Sequence, residues 1–238
     1  MLNEIDIQNI LFLDIETVPA FPGYPDLPEH WKKLWDTKAK SLTRNPDDDP
    51  EKLYPRAGIY SEFGKVICIA VGYFQGSLFR MASFFGDDEV TLLREFGTAL
   101  SRFFSKRYRY LCAHNGKEFD FPYLARRMLI NGIELPDVLS TAGSKPWEVP
   151  HLDTMELWRF GDFKNYTSLD LLATVFDIAS PKSDITGADV FRVYWTEHDL
   201  ERIAAYCRQD VLALARIYLA LSQVPGPREF ETEVVDHP

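Results

Sequence analysis

The stretch "ILFLDIETVP", Ile10 to Pro19, sets two acids, Asp14 and Glu16, inside a run of strand-forming residues. Successive side chains on a strand point to opposite faces, so Asp14 and Glu16 share one face while Leu11, Leu13 and Ile15 share the other. Two carboxylates this close repel unless something positive lies between them, and a metal ion offsets that cost. An edge strand turning its polar face to water is the plain alternative. Asp120, in "AHNGKEFDFPYLARR", opens a helix beside Pro122, a place where an ordinary first-turn acid is equally at home. In "IAAYCRQDVLALA", Tyr206 and Asp210 are four residues apart and share a helix face. Asp210 lies on or beside the apolar stripe of Leu200, Ile203, Cys207, Leu214 and Tyr218, so it needs a partner, either a basic side chain or a metal.

Four acids from three distant segments suit one chemistry. Phosphodiester hydrolysis needs an activated water, shielded phosphate oxygens and a stabilised leaving oxygen. Two divalent ions about 3.5–4 Å apart do all three, and hard ions such as Mg2+ or Mn2+ select carboxylate oxygens. A tyrosine nearby would orient the attacking water. No G-x-x-x-x-G-K-[ST], H-E-x-x-H or G-x-S-x-G occurs to suggest another reaction. His30, His114, His151, His198 and His237 are scattered and read as structural.

The elements that must position these residues follow from periodicity. After Pro19 the chain changes character, with Pro22, Pro25, Pro28, Pro46, Pro50 and Pro55 before about Glu62. Within it, "DLPEHWKKLWDTKAKSL" predicts a helix capped by Asp26, with Leu27, Trp31, Leu34, Trp35, Lys38 and Leu42 on its docking face. That face either packs on the core or forms a lid. "RNPDDDPEKLYPRAGIY" reads as an irregular surface loop. "KVICIAVGYF" and "SLFRMASFF", split by Gln75-Gly76, predict a hairpin, and "DDEVTLLREFGTALSRFF" an amphipathic helix. "YRYLCAH" is a strand, "FPYLARRMLINGI" a helix closing at Gly132, "VPHLDTMEL" a short strand, and "TSLDLLATVF" a helix capped by Thr167 or Ser168. "TEHDLERIAAYCRQDVLALARIYLAL" is the last long helix, with fraying expected from Pro225. The order implies an α/β fold: a mixed sheet with helices on both faces.

The totals are compatible with this. The chain has 238 residues, 46% of them hydrophobic, enough for a real core. Its net charge of -10 argues against a non-specific binder working through a basic surface, but not against a nuclease whose metal ions supply the positive charge. Cys68, Cys112 and Cys207 form no C-x-x-C pair and read as buried thiols. With neither a signal peptide nor a membrane-length apolar run in sight, a reduced cytoplasmic setting is expected.

The motifs together resemble those of the DEDD-type 3′-5′ exonucleases of the ribonuclease H-like fold. "LDIET" is similar to the family's first motif, "NGKEFD" with "PYL" to the second, close to the proofreading domain of family B DNA polymerases, and Tyr206 with Asp210 to the Y-x-x-x-D third motif of the tyrosine subclass. The resemblance runs from about Ile10 to Leu221 and is closest to stand-alone bacterial relatives of that polymerase domain; no polymerase region follows, so proofreading in cis is not expected. It implies a five-stranded sheet, a single exonuclease domain over residues 1–224 with an insertion at about 20–62, and a C-terminal tail over 225–238. It also implies site roles. Asp14 would bridge two ions, Glu16 and Asp210 would complete the site of the water-activating one, and Asp120 would serve the second, through water. Tyr206 would hydrogen-bond the nucleophilic water. Thr17, through its backbone, and Asn115 and Phe119 would meet the terminal nucleotide, although Phe119's spacing equally suits a core residue.

Other features are softer. "KPWEVP" and "GDFKNYTS" mix lysines with aromatics, fit for stacking bases or for anchoring loops through Trp147 and Tyr166. Lys182 reads as solvated, Arg126 and Arg127 as outward-facing, and Asp153 as support for the metal shell or a cap. The leading expectation is a metal-dependent 3′-5′ exonuclease acting on single-stranded DNA. The alternatives are the same chemistry on RNA, or an inactive nucleic-acid-binding module, which the acidic surface suits poorly.

Overall fold

Strand-forming residues alternating between two buried faces make β1 (Ile10–Pro19) the middle of the molecule rather than its edge. The computed structural model describes residues 5–45, 47–105, 109–162, 164, 166–178, 184–223 and 230–235. β1 pairs antiparallel with β2 (Gly64–Gln75), which turns through Gly76 into β3 (Leu78–Phe85). On its other side β1 runs parallel to β4 (Tyr110–Ala113), and β4 to β5 (Leu152–Asp153). Gly76 sits at φ +63°, a left-handed conformation that glycine adopts without steric cost.

Helices cover both faces. Leu11, Leu13 and Ile15 pack with Leu92, Leu93 and Phe96 of α3 (Glu89–Phe103) and Leu124 of α4 (Asp120–Ile130). Ile10, Phe12 and Val18 pack on the opposite side with Ile203, Cys207, Val211 and Leu214 of α8 (Leu200–Ser222). Asp14 and Glu16 alternate with the first set, so they face α8. A bulge opposite Glu16 and Thr17 turns two consecutive residues of β2, Ile67 and Cys68, toward that same helix.

The sheet has six strands, not five. β6 (Thr232–Val234) adds parallel to β3 at the edge, giving the order β5-β4-β1-β2-β3-β6. The tail expected to fray is therefore held over residues 230–235. Phe230 packs on Phe74 and Phe79, with ring centroids 4.9 and 5.2 Å away, and Arg80 pairs with Glu233 at 2.9 Å. β6 is exposed throughout, so no apolar alternation announces it.

The Pro-rich segment is more ordered than its composition predicts. α1 (Glu29–Lys40) starts after Pro28; Asp26 belongs to a preceding 3-10 turn and is not its cap. Trp35 is fully buried in a separate small core with Leu27, Ala39, Leu53, Tyr54 and Ala57. Leu53 lies in α2 (Pro50–Leu53), and Tyr54 and Ala57 lie in the 3-10 turn that follows, inside the stretch expected to be an irregular loop. The docking face of α1 thus packs within the Pro-rich segment itself. Among the described residues lie three further short helices: α5 (Thr154–Arg159), α6 (Leu169–Val175), capped by Ser168, and α7 (Val190–Arg192), which runs into a π-helical turn at Val193–Glu197 before α8.

Arg127 is not outward-facing, although Arg126 is exposed. Arg127 and Glu89 are 9% and 8% exposed and form a two-pronged ion pair, with Nε–Oε1 at 2.9 Å and Nη2–Oε2 at 2.5 Å. Glu89 also accepts from the Val66 amide at 2.7 Å, and Arg127 donates to the Ser61 carbonyl at 2.8 Å. Tyr123 donates to the Gly58 carbonyl, and a Cβ on Gly64 would lie 2.3 Å from the same hydroxyl. These contacts tie α4, which carries Asp120, to α3 and to the end of the Pro-rich segment. Arg127→Ala strands a buried carboxylate and is expected to destabilise the protein by about 3–5 kcal/mol, with a milder loss in the Arg127→Met/Glu89→Gln pair. Urea denaturation of the single and double variants measures this, and equal losses would contradict it.

Candidate active site

The turn "HNGKEFD" between β4 and α4 is built to present Asp120. Asn115 adopts φ +62°, which Asn tolerates better than most residues, and its carbonyl accepts from the amides of Glu118 and Phe119. A Cβ on Gly116 would lie 2.3 Å from that of Ala113. Asp153 fastens the turn from the end of β5: its carboxylate accepts from the amides of Asn115 at 3.0 Å and Lys117 at 3.1 Å, and caps α5 through the amides of Met155 and Glu156. With four backbone donors, Asp153 works as a cap and a fastener. His114, also in this turn, bridges Thr154 and the Thr167 carbonyl, a structural role.

Asp120 is thereby held buried at the start of α4, facing the acids of β1. Asp14, Glu16, Asp120 and Asp210 are close enough to perturb one another. Burial, then Glu16, Asp120 and Asp210, push the Asp14 carboxyl well above the ordinary carboxylate range. Burial, then Asp210 and Asp120, do the same to Glu16. Asp120 is pushed up to about 7, mainly by burial, while hydrogen bonds from its own and the Ile15 amide pull the other way. Burial raises Asp210 to about 6 against a hydrogen bond from Tyr206. The Tyr206 phenol is itself pushed far up, first by burial and then by Asp210 and Glu16, so it stays protonated. Among the described residues no Lys or Arg forms an ion pair with any of the four acids.

A cluster of partly buried carboxylates without a basic partner fits divalent cations as the missing charge. Potential ligand atoms of Asp14, Glu16 and Cys207 lie within 4.8 Å of one another. The Cys207 thiol is 3.2 Å from Asp14 Oδ2, and burial pushes its pKa well up, so it stands as a neutral donor to that carboxylate. In sequence Cys207 reads as a plain buried thiol; only its three-residue spacing from Asp210 on α8 hinted that it faces the site.

Thr17 stands one residue past Glu16 on the opposite face of β1, with its hydroxyl on Tyr123. Phe119 precedes Asp120, half-buried, its ring 5.3 Å from that of Tyr123. Trp147 and Tyr166 are 76% and 67% exposed; Trp147 meets its loop neighbour Lys145, whereas Tyr166 ties its loop to the rest of the fold, with Arg159 over its ring and its hydroxyl donating to Glu118 at 3.5 Å. Lys182, Phe163 and Asn165 lie outside the described residues.

Raised carboxyl pKa values carry a stability consequence. Between the ordinary value of 3.8 and about 7, the native metal-free protein holds protons that the unfolded chain has lost. The stability these groups contribute is complete at low pH and is lost as pH rises through that window. In EDTA the melting temperature is expected to fall from about pH 4 to about pH 7, and to fall less in Asp120→Asn. Identical slopes in the two proteins would contradict this.

The model of the RNase_H superfamily matches residues 56–222, more than half of the chain. The chain belongs to the RNase_H superfamily. The match contains Asp120, Tyr206 and Asp210; Asp14 and Glu16 precede it on β1. Among solved structures, the family B DNA polymerase from the hyperthermophilic archaeon Pyrobaculum calidifontis aligns with 92% of this RNase_H-superfamily chain at 17% identity and a TM-score of 0.48. The chain spans 28% of that polymerase's length. No curated protein matches. Among the described residues, no helix is long and apolar enough to cross a membrane.

Proposed function

We propose that the protein is a metal-dependent 3′-5′ exonuclease that hydrolyses single-stranded DNA to nucleoside monophosphates. The observation that carries this reading is the convergence of Asp14, Glu16, Asp120 and Asp210 without a basic counter-charge among the described residues. Membership of the RNase_H superfamily supports nuclease chemistry, and the resemblance of the three motifs to those of the DEDD-type exonucleases supports the direction.

Asp14, Glu16, Asp120 and Asp210 would hold two Mg2+ or Mn2+ ions, which when bound neutralise phosphate charge and make water a better nucleophile. The chain's own groups do the rest. Tyr206, as a neutral phenol, hydrogen-bonds the attacking water and holds it in line with the scissile bond. The water oxygen bonds to phosphorus as the bond to the 3′ oxygen breaks; the water gives up a proton to solvent and the departing 3′ oxygen takes one from it, leaving a nucleoside 5′-monophosphate and a strand one residue shorter that ends in a 3′ hydroxyl. The Thr17 backbone, Asn115 and Phe119 seat the terminal nucleotide. The thiol of Cys207 orients Asp14.

A duplex must fray before its 3′ end reaches the acids, at roughly 1.4 kcal/mol per step. Single strands should therefore be degraded faster than blunt duplexes. With few basic contacts, binding should depend weakly on salt. A 5′-labelled single strand incubated with Mg2+ is expected to give a ladder of shortening products. Immediate release of labelled mononucleotide would mean cutting from the other end, and equal rates on matched RNA would remove the preference for DNA.

A further inference from the structure

Across the sheet from the carboxylates, a cavity of about 640 Å³ opens between the start of β1, the β2–β3 hairpin and the C-terminal half of α3. Its floor includes Val71, Phe84, Phe96 and Leu100, side chains of the core on that side. Its rim carries Arg80 from β3, Arg102 from α3 and Arg109, with Asp6 as the acid among the lining residues. A net positive cavity is out of keeping with a chain of net charge -10.

The three arginines differ in what they have left to bind. Arg80 is engaged by Glu233 at 2.9 Å. Arg102 has no ion pair among the described residues. Arg109 donates from Nη1 to the Gln8 carbonyl at 3.1 Å, and its guanidinium lies 4.1 Å from the Phe103 ring centre. Its Nε is buried, with no acceptor among the described residues. Stacking on Phe103 pre-orients the guanidinium, which lowers the ordering cost of binding an anion.

We propose that this cavity binds a phosphate monoester carrying a planar ring, the chemical class of nucleoside 5′-monophosphates. The phosphate meets Arg102 and Arg109, and the ring lies on the apolar floor. Two guanidinium groups suit a dianion. The volume exceeds what an inorganic anion fills and lies within the usual range for organic ligands, about 300–1,000 Å³. The inference rests on the cavity and does not require the nuclease reading, although that reaction would release ligands of this class.

Isothermal titration calorimetry in EDTA tests it with adenosine monophosphate, inorganic phosphate and adenosine as separate titrants. The monophosphate is expected to bind saturably, and about tenfold or more tighter than either fragment, because charge-assisted hydrogen bonds and ring burial act together. Arg109→Gln and the exposed Arg102→Gln should each weaken it about tenfold, while Asp14→Asn leaves it unchanged. No saturable heat, unchanged affinity in both arginine variants, or loss of binding in Asp14→Asn would overturn the proposal. Phosphate binding as tightly as the monophosphate would overturn the assignment of a ring-bearing ligand.

Discussion

Asp14→Ala and Asp210→Ala are each expected to lower turnover on single-stranded DNA by on the order of a thousandfold or more, as removal of a metal ligand leaves developing charge unstabilised. The same substitutions should leave the metal-free fold intact. Asp14 is held above its ordinary pKa by burial and by Glu16, Asp120 and Asp210, so deleting it relieves repulsion among the remaining three. The melting temperature in EDTA should thus be unchanged or higher in the variants. Added Mg2+ should raise it in the wild type by mass action and much less in the variants. This separation of stability from activity distinguishes a metal-binding carboxylate from a packing residue. Wild-type cleavage persisting in excess EDTA would sink the reading, as would a variant that simply unfolds.

Tyr206→Phe is expected to lower kcat by about a hundredfold with little change in KM, the pattern of an interaction used mainly in the transition state. The ring remains to pack against the core beside α8 and only the hydroxyl is lost. Because the phenol is pushed far above its ordinary value, ionisation of Tyr206 contributes no alkaline limb to the rate profile. Its hydroxyl also lowers the Asp210 pKa by hydrogen bonding. In the Phe variant Asp210 should ionise at higher pH, and the midpoint for Mg2+ binding should move up with it. Steady-state kinetics and metal titrations across pH test both halves. A raised KM at unchanged kcat would assign Tyr206 to substrate binding, and an unmoved binding midpoint would separate it from Asp210.

The sequence by itself determined those features that depend on local periodicity. Alternation in Ile10–Pro19 put Asp14 and Glu16 on one face, and four-residue spacing put Tyr206 and Asp210 on one helical face; the structure has both. The hairpin at Gly76, the cap at Ser168 and the helix closing at Gly132 were likewise legible, because turn and cap chemistry is set by a few adjacent residues.

Tertiary structure decided whatever depends on partners far apart in the chain. Arg127 looks solvated in sequence, since nothing nearby announces Glu89, 38 residues away, as its buried partner. Trp35 finds Tyr54 across the Pro-rich segment, so a stretch rich in proline and aspartate closes a small core of its own. β6 carries no apolar pattern, and it becomes a strand only because the partly buried Phe230 packs beside it and the edge of β3 offers free hydrogen-bonding groups. Asp153 could be weighed as metal support or cap from sequence, but only folding brings the Asn115 and Lys117 amides to its carboxylate. Cys207 had no visible role until the sheet placed Asp14 3.2 Å from its sulfur. Spacing along the chain selects the face on which a side chain stands. Which group meets it there depends on packing between segments, and no local pattern encodes that.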